Sequence, residues 1–126
     1  MQDTRIALAI CNAKIGAPQE NIDKAAAYVQ QAAQAEADII CFPELAVTGY
    51  TNRDGVSAVA ETVPGPSSER SSHLAAASKR VVLAGLAEKD AADRIFASHL
   101  VCYPDGRVDV YRKIHIAPPE RHLYSP

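Results

Sequence analysis

Three apolar runs without polar interruption divide the first two thirds of the chain. They cover residues 6–11, 39–42 and 81–87, and each is bounded by polar or helix-breaking residues. Continuous apolar runs of this length predict strands that are buried on both faces, which is typical of layered α/β proteins. In residues 18–36 the apolar positions recur at helical spacing instead. The first half therefore predicts a strand–helix–strand unit, and such units place their strands side by side and parallel.

The second half of the chain predicts a helix and a hairpin. Polar residues followed by an alanine-rich stretch indicate a helix over residues 67–79. Residues 95–103 and 108–113 flank a tight Pro-Asp-Gly-Arg turn, and such a turn joins antiparallel strands. Residues 51–66 are rich in turn formers and predict a long surface connection. The expected fold class is thus α/β with a mixed β-sheet.

Length and charge limit the classes of function. A chain of 126 residues has room for one domain, and its 48% apolar and 22% charged composition is that of an ordinary soluble globule. The net charge of −2 and the lack of a basic run argue against nucleic-acid binding. No apolar run approaches the roughly 18 residues of a membrane span, and no signal peptide is recognisable. We expect a cytoplasmic protein without a membrane or nucleic-acid partner.

The cysteines and histidines do not form a metal or disulfide pattern. Cys11, Cys41 and Cys102 are odd in number, widely spaced and without a CxxC pair. We expect them to be buried, unreactive thiols, because an apolar environment disfavours the thiolate. His115 and His122 are seven residues apart in a loop, which is not the spacing of helical metal ligands.

The first candidate for chemistry is Glu44, within the segment Phe-Pro-Glu-Leu-Ala-Val-Thr-Gly-Tyr of residues 42–50. It follows a buried strand directly, and α/β sheets place their sites at the carboxyl ends of strands. A carboxylate leaving an apolar strand should be partly desolvated, which suits it to act as a general base. The alternative is a structural role, in which Glu44 only accepts backbone hydrogen bonds in the loop.

The second candidate cluster follows the last predicted strand, in residues 111–124. Lys113 has the fixed positive charge needed to stabilise a developing oxyanion, and Glu120 is placed to pair with it or orient it. The alternative is an ordinary surface salt bridge, which contributes little to stability or function.

Taken together, these segments resemble the nitrilase superfamily of carbon–nitrogen hydrolases. The resemblance rests on the opening strand, the segment of residues 42–50, Val-Leu-Ala-Gly-Leu at 82–86, the Tyr-Pro-Asp-Gly-Arg hairpin and Tyr-Arg-Lys-Ile-His at 111–115. It implies part of an α-β-β-α sandwich and hydrolysis of amides, nitriles or N-carbamoyl compounds by a Glu-Lys-Cys triad. It also implies Glu44 as general base, Lys113 as the oxyanion-stabilising lysine and Glu120 as a second glutamate that positions substrate and lysine. No metal or organic cofactor is implied.

The chain departs from that family at the nucleophile. In the family the cysteine lies on a strand well beyond the position of Lys113, and none of the three cysteines here occupies its place. The expectation is that residues 1–126 form a single carbon–nitrogen hydrolase domain truncated after about half of the fold, inactive when alone. The alternative is an inactive half-domain that binds a small ligand or a partner chain.

Two further expectations follow from the resemblance to half of a sandwich. Splitting a two-sheet sandwich exposes an apolar sheet face and open edges, which favours association between copies, so we expect a homo-oligomer. Tyr50, Asn52 and Arg53 follow the Glu44 segment and are candidates for lining the near side of a substrate pocket. Arg53 has the fork geometry to bind a substrate carboxylate, although a solvated loop arginine is an equally good interpretation.

Overall fold

A five-stranded mixed sheet lies at the centre of the protein. The computed structural model describes residues 3–50 and 55–126. In chain order the elements are strand β1 (Ile6–Leu8), helix α1 (Pro18–Gln34), strand β2 (Ile39–Cys41), the short helix α2 (Val56–Val59), helix α3 (Pro66–Ser78), strands β3 (Val81–Lys89), β4 (Ile95–Cys102) and β5 (Val108–Arg112), and a 3₁₀ helix (Pro118–Glu120). The strands are adjacent in sequence order; β1, β2 and β3 are parallel, whereas β4 and β5 run antiparallel to their neighbours. The predicted α/β class with a mixed sheet is confirmed.

Helices α1 and α3 pack on one face of this sheet and enclose the main hydrophobic core. Both helices have proline in their first turn, where its fixed φ is favourable and its missing N–H is not needed. Ile22 and Val29 of α1 meet Ile40, Leu86 and Leu100 of the sheet, and all five side chains are buried. Each such side chain contributes about 1.5–3 kcal/mol when it leaves water. Within the described ranges, no helix is both long and apolar enough to cross a membrane.

The opposite face of the sheet, which we call the open face, is covered by neither α1 nor α3. Ile6 and Leu8 of β1 belong to it and are 56% and 75% exposed, while Leu83 and Val101 on the same face are only partly buried. The prediction of strands buried on both faces is therefore wrong at the β1 end of the sheet, because α1 and α3 cover one side only. Strand β1 also ends at Leu8, three residues earlier than its apolar run.

One buried asparagine holds the loop before α1 against the turn that follows β2. The Asn21 side-chain oxygen accepts a hydrogen bond from the Lys14 N–H, and its nitrogen donates to the carbonyl oxygens of Lys14 and Val47, all at 2.8 Å. A carboxamide has both an acceptor and two donors, so this one side chain satisfies three backbone groups. Asn21 thereby connects the first helix to the turn that contains Glu44.

We expect Asn21→Ala to lower the free energy of unfolding by about 3 kcal/mol, because three hydrogen bonds are lost and the buried Val47 carbonyl is left without its partner. Urea unfolding followed by circular dichroism measures the change. Asn12→Ala is the matched control, since Asn12 is exposed and its loss should change stability by less than about 0.5 kcal/mol. Equal effects of the two substitutions would contradict the role of Asn21.

Candidate active site

Glu44 lies on the open face because Gly85 lets the turn after β2 rest directly on β3. A Cβ atom at Gly85 would stand 2.5 Å from the backbone nitrogen of Leu45 and 3.1 Å from the Cα of Glu44, so only glycine permits this approach. The Val47 N–H donates to the Gly85 carbonyl at 2.8 Å, and the Thr48 hydroxyl oxygen accepts from the Ala87 N–H at 3.0 Å. The turn is therefore hydrogen-bonded to the strand beneath it.

Leu45 shows how tightly this turn is constrained. Its backbone has a φ of +55°, which is rare for a residue with a side chain, and the side chain is fully buried against Ala87 and Tyr124. These three residues belong to a second, smaller hydrophobic core. Because Leu45 is buried in it on one side of the turn, its neighbour Glu44 points away from this small core. Local strain at Leu45 is thus offset by packing.

Lys113 reaches Glu44 from the end of β5, on the same open face of the sheet. Its N–H extends the pairing of β5 with β4 by donating to the Ala97 carbonyl at 2.9 Å. Its ammonium nitrogen lies 2.9 Å from Glu44 Oε1 and 3.3 Å from Glu120 Oε2. The cation is therefore shared between two carboxylates that are 76 residues apart in sequence.

Glu120 is the buried member of this cluster, and Tyr50 completes it. The 3₁₀ helix places the Glu120 side chain inward at 9% exposure, and the Tyr50 hydroxyl donates to Glu120 Oε1 at 2.8 Å. Among the described residues, the structure thus brings together the four site candidates from the sequence, namely Glu44, Lys113, Glu120 and Tyr50. Their chemical roles stay predictions. Asn52 and Arg53, the other pocket candidates, lie outside the described residues.

The hydrogen bonds of the cluster set its charge states. Contact with Glu44 and then with Glu120 raises the pKa of Lys113 above its ordinary value, although partial burial opposes this. Donation from Tyr50, together with Lys113, lowers the pKa of Glu120. The same hydrogen bond raises the pKa of Tyr50, because ionisation of the phenol would lose it. At neutral pH, Lys113 is cationic, Glu120 is anionic and Tyr50 keeps its proton.

Glu44 is the more exposed carboxylate of the cluster. Its side chain is 47% exposed, because the turn lies on the open face and no second layer covers it within the described residues. Glu44 does not merely accept backbone hydrogen bonds, since its carboxylate is paired with Lys113. An exposed carboxylate–ammonium pair exchanges readily with water and is available to a ligand.

The three cysteines are free and stand apart from the cluster. Cys102 is fully buried on the helix side of the sheet, and burial raises its pKa to about 11. Cys41 is only partly buried on the open face, where burial again raises the thiol pKa, and Cys11 is partly buried beside the main core. The expectation of buried thiols thus holds fully for Cys102 alone. Within the described ranges none of the three hydrogen-bonds to Glu44, Lys113 or Glu120.

The two histidines that follow β5 do not take part in the hydrogen bonds of the cluster in the described part of the chain. His115 and His122 are both exposed in the loop after β5. Nowhere in residues 3–50 and 55–126 do three or more histidine, cysteine or acidic side chains gather as metal ligands. The cluster is therefore a carboxylate–ammonium–phenol arrangement, suited to proton transfer and to stabilising negative charge.

Two residues near the cluster were missed by the sequence. Tyr124 is 4% exposed and its hydroxyl has no hydrogen-bond partner among the described residues; burial, Glu120 and Glu44 raise its pKa to about 12. His99 pairs with Gly85 across β3 and β4, and burial lowers its pKa although Glu44 opposes this. The glycine in the apolar run 81–87 was a usable signal for close backbone approach, whereas nothing in sequence spacing indicated Tyr124 or His99.

Comparison with known proteins agrees with this architecture. The sequence profile of the carbon–nitrogen hydrolase family matches residues 5–126. A nitrilase of Pyrococcus abyssi is 31% identical over 125 residues, which cover 97% of this chain and 47% of the relative. The omega-amidase NIT2 of Xenopus tropicalis is 31% identical over 98 residues, or 77% of this chain and 35% of the relative. The chain belongs to the carbon–nitrogen hydrolase family, the nitrilase superfamily.

The fold agrees with that of a solved member. XC1258 of Xanthomonas campestris, described as a CN-hydrolase superfamily protein with an arsenic adduct in its active site, superposes with a TM-score of 0.88 at 24% identity. The superposition covers 99% of this chain and 46% of that protein. The chain therefore spans about half the length of the relatives it matches, and the fold of that half is established.

We expect Tyr50→Phe to raise the pKa of Glu120, because the phenol donor that stabilises its carboxylate is lost. A carbon-13 NMR titration of the side-chain carboxyl measures the change. A depressed carboxyl pKa stabilises the fold above the ordinary value of 4.5 and ceases to do so as the pH falls through the folded-state pKa. The stability difference between native protein and variant should accordingly be present at pH 7 and vanish in acid.

Tyr111→Phe is the control for that titration, since Tyr111 is exposed on β5 and its hydroxyl contacts no group of the cluster in the described structure. A pKa of Glu120 that is the same in native protein and Tyr50→Phe would contradict the hydrogen-bond assignment. So would an equal change in Tyr111→Phe.

Proposed function

We propose that the chain carries the glutamate and lysine part of an active site that hydrolyses non-peptide carbon–nitrogen bonds in amides, nitriles or N-carbamoyl compounds. The observation that carries the proposal is the Lys113 ammonium, held between the Glu44 and Glu120 carboxylates at 2.9 and 3.3 Å. Membership of the hydrolase family supports the same class of reaction. A nitrilase and an omega-amidase among its relatives support small amide-type substrates.

The proposed roles follow from charge and exposure. Glu44 is the more accessible carboxylate and accepts the proton of a nucleophilic thiol. The thiolate attacks the carbon of the carbon–nitrogen bond, and the Lys113 ammonium stabilises the negative charge that develops on the substrate heteroatom. From an amide or N-carbamoyl compound the nitrogen leaves as amine or ammonia with a proton returned by Glu44, which gives the thioester; from a nitrile, one water first adds to the thioimidate, and ammonia then leaves. A further water hydrolyses the thioester. Glu120, held by Tyr50, keeps Lys113 in place.

The thiol in this scheme has to come from outside the described cluster. Cys11, Cys41 and Cys102 make no hydrogen bond to its charged groups in the described ranges, so the proposal assigns the nucleophile to a further segment or chain that covers the open face. The second candidate function is a non-catalytic half-domain that binds a small ligand or a partner chain through the same cluster. The position of the three thiols is the observation that favours it. A cytoplasmic location and the lack of a cofactor stay predictions of the sequence.

The test is hydrolysis by the complete product of the reading frame. We expect release of ammonia or amine from at least one of three probes: the mono-amide of a short dicarboxylic acid, an aliphatic nitrile and an N-carbamoyl amino acid. Glu44→Gln and Lys113→Met should each lower kcat/KM by about 10³-fold, since one removes the base and the other the oxyanion partner. Residues 1–126 alone should show no turnover.

Glu20→Gln is the matched control, because Glu20 also forms a 2.8 Å pair with a lysine but at an exposed site on α1. It should leave kcat/KM unchanged. Full activity in Glu44→Gln would refute the proposed base. Binding of a probe without turnover by the complete product would favour the half-domain.

We also infer that residues 1–126 associate with copies of themselves through the open face. Ile6 and Leu8 present apolar surface there that a monomer leaves in water, and one edge of β1 is unpaired in the part of the chain that the structure describes. Apolar surface and a free strand edge both favour association. The expected assembly is a homo-oligomer in which these faces meet.

Light scattering at micromolar concentration should give a mass of at least two chains. Leu8→Asp should shift it toward the monomer, because a buried contact would acquire an unpaired charge. Ala91→Asp, in the exposed turn after β3, is the control and should not change the mass. A compact monomer that binds no hydrophobic dye would rule out this association.

A further inference from the structure

A second charged group lies on the side of the sheet opposite Lys113. Glu88 of β3 is 5% exposed, and its carboxylate accepts hydrogen bonds from the Ser98 hydroxyl at 2.6 Å and from Arg112 Nε at 3.0 Å. A second Arg112 nitrogen donates to the other carboxylate oxygen. The guanidinium carbon of Arg112 stands 3.9 Å from the centroid of the Phe96 ring. We call Glu88, Phe96, Ser98 and Arg112 the strand clamp.

The register of the strands shows that the clamp and the active-site cluster are on opposite faces. Ser98 pairs with Arg112 across β4 and β5, and Glu88 pairs with Phe96 across β3 and β4. Because side chains alternate along a strand, Lys113 points to the other face when Arg112 points to this one. The clamp therefore fixes the residue immediately before the site lysine.

Strand β5 needs such an anchor because it is the edge strand of the sheet. Among residues 3–50 and 55–126 it pairs with β4 only, and four of its five residues are exposed. Edge-strand ends with few buried contacts open easily. The bidentate bond of Arg112 to a buried carboxylate and its stacking on Phe96 supply contacts in three strands at the point where β5 ends.

We propose that Arg112 is a positioning residue for Lys113: the strand clamp fixes the end of β5 and so holds the ammonium between Glu44 and Glu120. The inference deepens the proposed function and rests on it for its catalytic meaning. The position of the Lys113 ammonium can be tested without measuring turnover. Arginine is required because its planar fork spans both carboxylate oxygens and lies flat on an aromatic ring, which an ammonium group cannot do.

The test compares the reactivity of the Lys113 amine in native protein and in Glu88→Gln/Arg112→Gln. The double substitution removes both charges together, so no unpaired charge is buried and the variant can still fold. Brief acetylation with an amine-selective reagent at neutral pH, read by mass spectrometry, reports the free-amine fraction at Lys113. A lysine released from its two carboxylates should react about threefold faster or more, since a lower pKa gives more free amine.

Three further measurements separate positioning from general destabilisation. Arg107→Gln removes an arginine of the same hairpin that also pairs with an aspartate and stacks on a tyrosine, and it should leave Lys113 reactivity unchanged. Arg112→Lys should give a Lys113 reactivity between that of the native protein and that of the double variant. A lysine NMR titration should show the pKa of Lys113 falling in the double variant.

Two results would overturn the positioning role. One is a double variant that unfolds at lower temperature while its Lys113 keeps native reactivity, since the clamp would then be structural only. The other is an equal rise in Arg107→Gln. Failure of the proposed hydrolysis would be recognised separately, as absence of turnover in a complete product whose Lys113 still responds to the clamp.

Discussion

The contact between the turn of residues 43–48 and Gly85 is the constraint on which the site depends. Because Gly85 has no side chain, the backbone of Leu45 can lie directly against β3. A Cβ atom at position 85 would stand only 2.5 Å from the Leu45 nitrogen. Leu45 then fills the small core with Tyr124, and Glu44 is left above the sheet within reach of Lys113. A rigid strand thus supports a carboxylate that the sequence places in a loop.

The sheet separates stability from chemistry by using its two faces differently. The helix side holds the main core, the buried Cys102 and the strand clamp, where unpaired groups would be costly. The open face holds the carboxylate–ammonium cluster beside apolar surface. In this state the pair of Glu44 and Lys113 is partly screened by water, and a covering layer would exclude that water and strengthen each contact within the cluster.

Much of the fold was predictable from the sequence because its signals are local. The helical spacing of apolar residues located α1, polar residues followed by alanines located α3, and the Pro-Asp-Gly-Arg turn located the β4–β5 hairpin. The family resemblance paired Glu44 with Lys113. What the sequence could not show was which faces are covered. An apolar run such as residues 6–11 looks the same in the sequence whether its second face is covered by this chain or by another layer. The exposure of Leu8 and Glu44 therefore became visible only in the three-dimensional structure.

The cluster carries one more negative than positive charge, and this excess has a chemical use. Glu120 is buried and takes a hydrogen bond from Tyr50, so it is committed to holding Lys113. Glu44 makes no such second contact within the described ranges, and in the proposed function it is the carboxylate that takes the proton. A ligand that donated a proton to Glu44 would remove the excess charge and leave Lys113 available to an anion. The proposed assignment of one glutamate as base and the other as support thus rests on the unequal burial and hydrogen bonding of the two carboxylates around one lysine.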